Sequence, residues 1–275
     1  LTLNKGAKAI GALTAQPKEE KATDFTKLES GASIKVRVKS AEDLAQYFNY
    51  GIFGSVKSFV PTSQATRDAK GYVVSGHSAW DLAEKYYRDL QFKEIRNKNK
   101  DAADSYGDEA RKYKGTEKYL MGFYELSKGE DIVIDMTKKQ ALNVYQTILE
   151  YTDTDENGQI IADGEHDFVN MAFKLSKSGS STTTSFSLTP IINVAKGLTE
   201  DEKANFEKSA GEKFDSELFD GLLFEADEAT QITNLITAGF DISLIGLERP
   251  TAGTPAPPTD SLVDNTQITE EELPF

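Results

Sequence analysis

Between Trp80 and Lys118, aromatic rings and fixed cations interleave. Trp80, Tyr86, Tyr87, Phe92, Tyr106 and Tyr113 alternate with Lys85, Arg88, Lys93, Arg96, Lys98, Lys100, Arg111, Lys112 and Lys114. Rings offer flat faces worth about 1–3 kcal/mol per stacked base, and cations neutralise phosphates, so the combination suits a polyanion with unpaired bases. The same stretch also has a purely structural use. Trp80, Ala83, Tyr87 and Leu90 recur at helical spacing, which packs one helix face onto a core. The basic residues within 97–100 and 111–114 are expected to face the ligand.

A second constellation occupies residues 268–275, where Glu270, Glu271 and Glu272 stand directly before Leu273, Pro274 and Phe275. A terminal phenylalanine offers a ring and an α-carboxylate to a partner, and Pro274 limits the entropy lost on docking. Residues 250–260 are rich in Pro, Gly and Thr and read as a semi-extended tether. Residues 251–275 hold five acids and no base. This segment is expected to recruit partner proteins.

The net charge of −14 is unevenly spread: +1 over residues 1–30, +4 over 31–128 and −19 over 129–275. Affinity for a polyanion follows the local field rather than the total, so the first half can bind what the second half repels. The chain lacks cysteine, which excludes disulfides and thiolate metal sites and is compatible with the cytosol. No apolar run approaches the length of a membrane span, and no secretory signal is recognised.

The elements that must position these groups read as a small β core interrupted by helices. Residues 32–39 alternate, with Ile34, Val36 and Val38 inward and Lys35, Arg37 and Lys39 outward. Residues 54–60 form a second strand-like run and 118–126 a third. Residues 131–135 are the hairpin partner of the third across Ser127-Lys128-Gly129. Residues 168–176 and 183–189 form a last pair. Ser78 with Asp81, Thr137 with Gln140 and Thr199 with Glu202 have capping-box spacing and start helices, and 227–238 is a further helix stopped by Gly239. The fold class is therefore mainly β with helical insertions (α+β), of the type of a five-stranded, partly open Greek-key OB barrel. The expected organisation is an arm at 1–24, a core at 25–192 with a helical insertion near 76–115, an acidic helical segment at 193–248 and a tail at 249–275. Further candidates for ligand contact lie on the strands: Lys35, Arg37, Phe53, Lys57, Phe59, Tyr119, Phe123, Lys174, Lys177 and Phe186. Phe53, Lys57 and Phe59 do not share one parity, so at least one of them belongs to the core or a bulge.

Three blocks in order, residues 25–38, Lys118-Tyr119-Leu120-Met121-Gly122-Phe123-Tyr124-Glu125-Leu126 and residues 173–190, together with the acidic tip, resemble tailed-phage single-stranded DNA-binding proteins. The resemblance spans roughly residues 25–192 plus the tail. It implies an OB fold that grips single-stranded DNA sequence-tolerantly in replication, recombination and repair, in the cytoplasm of an infected bacterial host. It also implies that the tip, Glu270 to Phe275, recruits replication and repair proteins. Some relatives hold zinc with Cys and His, whereas here the matching region offers only His77, so no metal or cofactor is expected. A tail of this charge can also lie over a basic groove and yield to DNA.

Two rival readings come from other classes. Asp153-Thr154-Asp155-Glu156-Asn157-Gly158-Gln159-Ile160 matches the first eight positions of a calcium loop, but Gly164 stands where a bidentate Glu belongs. An acidic adaptor that binds proteins and no DNA is the other. Two histidines, no cysteine and no phosphate-binding or nucleophile-elbow motif leave an enzyme without its commonest signatures.

Overall fold

The computed structural model describes residues 25–157, 160–161, 166–180 and 183–250. The arm at 1–24 and the tip from Glu270 to Phe275 lie outside the described residues. In chain order the strands are β1 (Ser33–Arg37), β2 (Leu44–Ile52), β3 (Val56–Pro61), β4 (Thr66–Arg67), β5 (Val73–Ser75), β6 (Thr116–Glu125), β7 (Glu130–Thr137), β8 (Ala172–Ser178), β9 (Ser185–Pro190) and β10 (Glu225–Ala226). The helices are α1 (Ala79–Arg96), α2 (Lys100–Tyr113), α3 (Lys138–Glu150), α4 (Val194–Gly197), α5 (Glu200–Lys208) and α6 (Glu228–Thr237).

Strand β6 is the spine. Along one edge it pairs with β7 from Lys118↔Thr137 to Glu125↔Glu130. Its other edge is shared: β2 takes the first half, from Asn49↔Thr116 to Leu44↔Met121, and β1 takes Arg37↔Tyr124 and Val36↔Glu125. The sheet runs β10-β3-β2-β6-β1-β8-β9 with β7 attached to β6, and β10 on β3 is its parallel pair. Among the described residues β7 and β9 do not pair, and α3 packs against β6, β7 and β9 instead. The molecule is therefore a mixed α/β protein with one large, mostly antiparallel sheet that is not closed into a barrel. The six strand segments read from sequence undercount the ten described, because β2, the β4–β5 hairpin and β10 carry no clear alternation.

Local chemistry explains the helix starts. Ser78, Thr137 and Thr199 each accept the N–H of the residue three places on, and Asp81, Gln140 and Glu202 bond back to the capping N–H, so two orphan donors are satisfied at each start. Asp227 caps α6 and Gly239, at φ 84°, follows its end.

The sheet is buried on both faces. Val36, Phe123, Ile134, Phe173 and Leu175 form one core with Val144 and Ile148 of α3. On the other face Leu120 and Val133 meet Phe214, and a Cβ at Gly122 would lie 2.5 Å from the Phe214 ring, so only glycine lets that ring approach the strand. A third core centres on Trp80, with Tyr50, Phe59, Tyr113 and Leu235 around it.

The acidic segment after β9 covers β1, and this corrects the expectation for Lys35 and Arg37. Lys35 Nζ donates to Glu202 at 2.6 Å. Arg37 is buried: its Nε and Nη2 donate to the Val169 carbonyl at 2.8 and 2.5 Å, Nη1 donates to the Phe206 carbonyl, and the guanidinium lies 4.3 Å from the Phe206 ring centroid. Lys39 pairs with Asp131 at 2.9 Å. Lys35 and Arg37 thus anchor the acidic segment, while Lys39, just past β1, pairs with β7.

The Lys35–Glu202 pair makes a pH prediction. Burial pushes the Glu202 carboxyl up, but the bonds from Lys35 and from Thr199 outweigh it and hold the carboxyl below its ordinary 4.5. A depressed folded value stabilises the fold fully above 4.5 and ceases to do so as pH falls through the folded value. Glu202→Gln keeps the capping geometry and removes the charge, so it is expected to cost about 1 kcal/mol at neutral pH and progressively less in acid, as pH falls toward the folded value. Paired thermal melts at neutral and acid pH check this; an equal gap at both contradicts it.

Candidate nucleic-acid interface

Five segments converge on one groove: the β2–β3 hairpin, the β4–β5 hairpin, the end of α2 with the residues leading into β6, the start of α3, and residues 183–185. The main compartment encloses about 1030 Å³. Its lining holds six cations, Lys70, Arg111, Lys112, Lys114, Lys138 and Lys139, against two acids, Asp108 and Glu117. A second compartment of about 510 Å³ adjoins it, sharing Phe48, Gly71, Glu117 and Lys138 as common walls.

Each side chain has a local reason for its place. Arg111 and Lys112 close the last turn of α2, where cations favour the helix dipole, and both bind acids one turn back: Arg111 pairs with Asp108, and Lys112 with Glu109 at 2.7 Å. Such exposed pairs are worth little and a phosphate can displace them. Lys70, Lys114 and Lys139 make no ion pair with a described residue. Lys138 and Lys139 are the first two residues of α3, after the Thr137 cap. Cations there oppose the helix dipole; Lys138 offsets this through its pair with Glu117 at 2.8 Å, whereas Lys139 makes no ion pair among the described residues.

Glu117 stands between the compartments. It accepts from Gln46 Nε2 at 2.6 Å, Tyr119 Oη at 2.7 Å and Lys138 Nζ at 2.8 Å. Burial raises its carboxyl, but these three bonds prevail and hold it below the ordinary range. Burial, and then the bond to Glu117, push the Tyr119 phenol up to about 12.

Phe53, at the tip of the β2–β3 hairpin, lines the main compartment with 63% of its surface exposed. Of the ten candidates placed on strands, it alone joins the groove lining. Phe53→Ala is expected to leave the melting temperature unchanged and to weaken binding to oligo-dT by about 1–3 kcal/mol, read by fluorescence anisotropy. Unchanged affinity would remove Phe53 from the interface.

The remaining candidates lie elsewhere. Trp80 is fully buried, with its Nε1–H donating to the Gln231 carbonyl at 3.1 Å. Phe59, Tyr113, Phe123 and Phe186 are also core residues, because an aromatic ring gains more by filling the sheet–helix interior than by facing water. Tyr86 and Tyr87 pack on Phe240, and Tyr87 stacks on Tyr113 at 5.9 Å. Arg88 bonds to Glu84 and Gln91 within the α1–α2 hairpin. Lys93, Arg96, Lys98 and Lys100 are exposed, but they cluster at the hairpin tip. At 1.5 Å per residue the twelve steps from Lys100 to Lys112 span about 18 Å, so the tip stands apart from the groove. Lys57 and Lys174 are exposed outside the groove lining, and Lys177 lies 5.8 Å from the Phe186 ring centroid. The interleaved stretch 80–118 is thus two features: a helical hairpin bonded by its rings, and one basic wall at its end.

The calcium-like segment holds an Asx turn, in which the Asn157 N–H donates to Asp155 at 2.9 Å, and a bridge between Thr154 and Ile160. Gly158, Gln159 and Gly164 lie outside the described residues. Among the described residues no three His, Cys, Asp or Glu side chains gather as a metal site, and no helix is long and apolar enough to cross a membrane. Comparison with protein-family models, with curated proteins and with solved structures gives no match to this chain.

Proposed function

We propose that this chain binds single-stranded DNA along the basic groove, sequence-tolerantly and without making or breaking a bond. The observation that carries the reading is the convergence, in a chain of net charge −14, of six cations on one groove, two of them at the start of α3. Phosphates pair with cations of either duplex or single strand, but the exposed ring of Phe53 has use only for a base that has left its stack. Binding unstacked strands and not duplex shifts the melting equilibrium by mass action. The open sheet with α3 across its gap fits a partly open barrel of OB type. The resemblance to tailed-phage single-stranded DNA-binding proteins supports a role in phage DNA replication, recombination and repair. It is exercised in the host cytoplasm, with the tip from Glu270 to Phe275 recruiting the enzymes.

Anisotropy of a labelled oligo-dT, against a duplex of equal length, tests the proposal. Trp80 emission is a poor reporter, since the indole is buried 5.3 Å from Phe59 and 5.6 Å from Tyr113. With about five phosphates neutralised, affinity for the single strand should fall roughly a hundredfold between about 50 and 200 mM salt. Equal binding of duplex, or none of either, refutes it.

A further inference from the structure

The second compartment differs in charge from the first. Its ionisable walls are Arg67 and Lys138 against Asp68, Glu117 and Glu225. Both cations are already engaged: Arg67 Nη2 donates to Tyr50 Oη at 2.7 Å and Asp81 Oδ1 at 3.1 Å, and Lys138 donates to Glu117. A phosphate entering here would meet three carboxylates and no uncommitted cation. What the compartment does offer is neutral. The exposed side chains of Thr62 and Gln64 line it and hydrogen-bond to no described residue. Phe48 forms a wall common to both compartments, and its ring carries the Arg67 guanidinium 3.8 Å from its centroid. The Arg67 side chain is 9% exposed, and its Nε has no partner, so the Arg67–Phe48 wall is rigid and still carries an unsatisfied donor.

From this division we infer a nucleobase pocket. Phosphates run through the first compartment, and one base turns past Phe48 into the second, where Gln64 and Thr62 meet its polar edge. An uncharged, planar, hydrogen-bonding group is the chemistry that fits a polar recess with an acidic rim. The inference rests on the reading that the groove binds single-stranded DNA. It adds that one nucleotide of the bound strand is held differently from the rest.

The test is an abasic scan. A single abasic position is moved through an oligo-dT no longer than the protein's own site, so that the strand cannot slide to avoid it, and each affinity is measured by anisotropy with the full chain. Besides the position whose base stacks on Phe53, which Phe53→Ala removes, a second position is expected to cost at least fivefold, about the value of one stacked base. Thr62→Trp, at an exposed position, fills the compartment and should remove that second position from the scan; Gln64→Trp does the same if the first variant melts early. A scan of Phe53→Ala with no costly position, alongside measurable binding of unmodified oligo-dT, overturns the pocket and leaves the groove. A second position that survives both tryptophans also overturns it. No binding of unmodified oligo-dT overturns pocket and groove together.

Discussion

Reversing two groove charges, Lys70→Glu with Lys139→Glu, is expected to lower affinity for oligo-dT by on the order of a hundredfold at moderate salt while the protein melts at the same temperature or higher. The two parts of this expectation have different causes. Each reversal removes a cation that makes no ion pair in the fold and places an anion where a phosphate should sit, so binding loses two contacts and gains two repulsions. The fold, in contrast, profits at position 139. A glutamate in the first turn of α3 agrees with the helix dipole where lysine opposes it, a gain of about 0.3–1 kcal/mol. A variant that is more stable and less active is hard to explain by misfolding. The control is the triple reversal Lys93→Glu, Arg96→Glu and Lys98→Glu at the α1–α2 tip, which lowers the net charge by more but is expected to change affinity only a fewfold. Equal losses in the two variants would mean that total charge, and not the groove, governs binding.

Asp81→Ala is expected to destabilise the protein by about 3–5 kcal/mol. Asp81 is 2% exposed and serves two structures at once. Its Oδ2 accepts from the Ser78 N–H at 3.0 Å and hydroxyl at 2.7 Å, closing the α1 cap. Its Oδ1 accepts from Tyr50 Oη at 2.7 Å and Arg67 Nη2 at 3.1 Å. Burial, and then the Asp81 charge, raise the Tyr50 phenol, so the phenol stays a donor. Without Asp81 the Arg67 guanidinium is a buried cation with no counter-ion, and the Ser78 N–H and hydroxyl lose their acceptor. Chemical denaturation measures the loss. Because Arg67 also fixes Phe48 between the two compartments, the variant should lose affinity even under conditions where it remains folded. A loss of under about 1 kcal/mol would show the network to be dispensable.

The parts of this fold legible in the sequence are those set by near neighbours. The β6–β7 hairpin follows from two apolar runs and the turn ending at Gly129, at φ 72°. The three capping boxes follow from pairs three residues apart. What escaped the sequence depends on distant chain. Alternation in β1 correctly put Val36 and Val38 inside, but nothing local reveals that Arg37 is buried by the carbonyl of Phe206, 169 residues away. Strand β2 escaped notice because Tyr47 feeds one core and Tyr50 another, which erases the apolar–polar period. Trp80 posed an ambiguity that helical spacing could not resolve, and burial resolves it in favour of packing.

The groove was legible only at Phe53 and at Arg111 to Lys114. Lys70 enters through a hairpin too short to show a pattern, and Phe48 through the unrecognised strand. Lys138 and Lys139 did leave a trace. Two lysines after a well-formed cap oppose the helix dipole; the pair with Glu117 accounts for Lys138, and only Lys139 opposes its element without a partner among the described residues.

Amide hydrogen exchange of the full chain with and without oligo-dT tests the central claim most directly, because it reports where the strand lies. The groove account predicts slowed exchange at 48–53, 70–72, 114–117 and 138–143 on binding, with the α1–α2 tip at 93–100 unchanged. Protection centred on the tip, or on β1 and β8, with the groove segments unaffected, would contradict it.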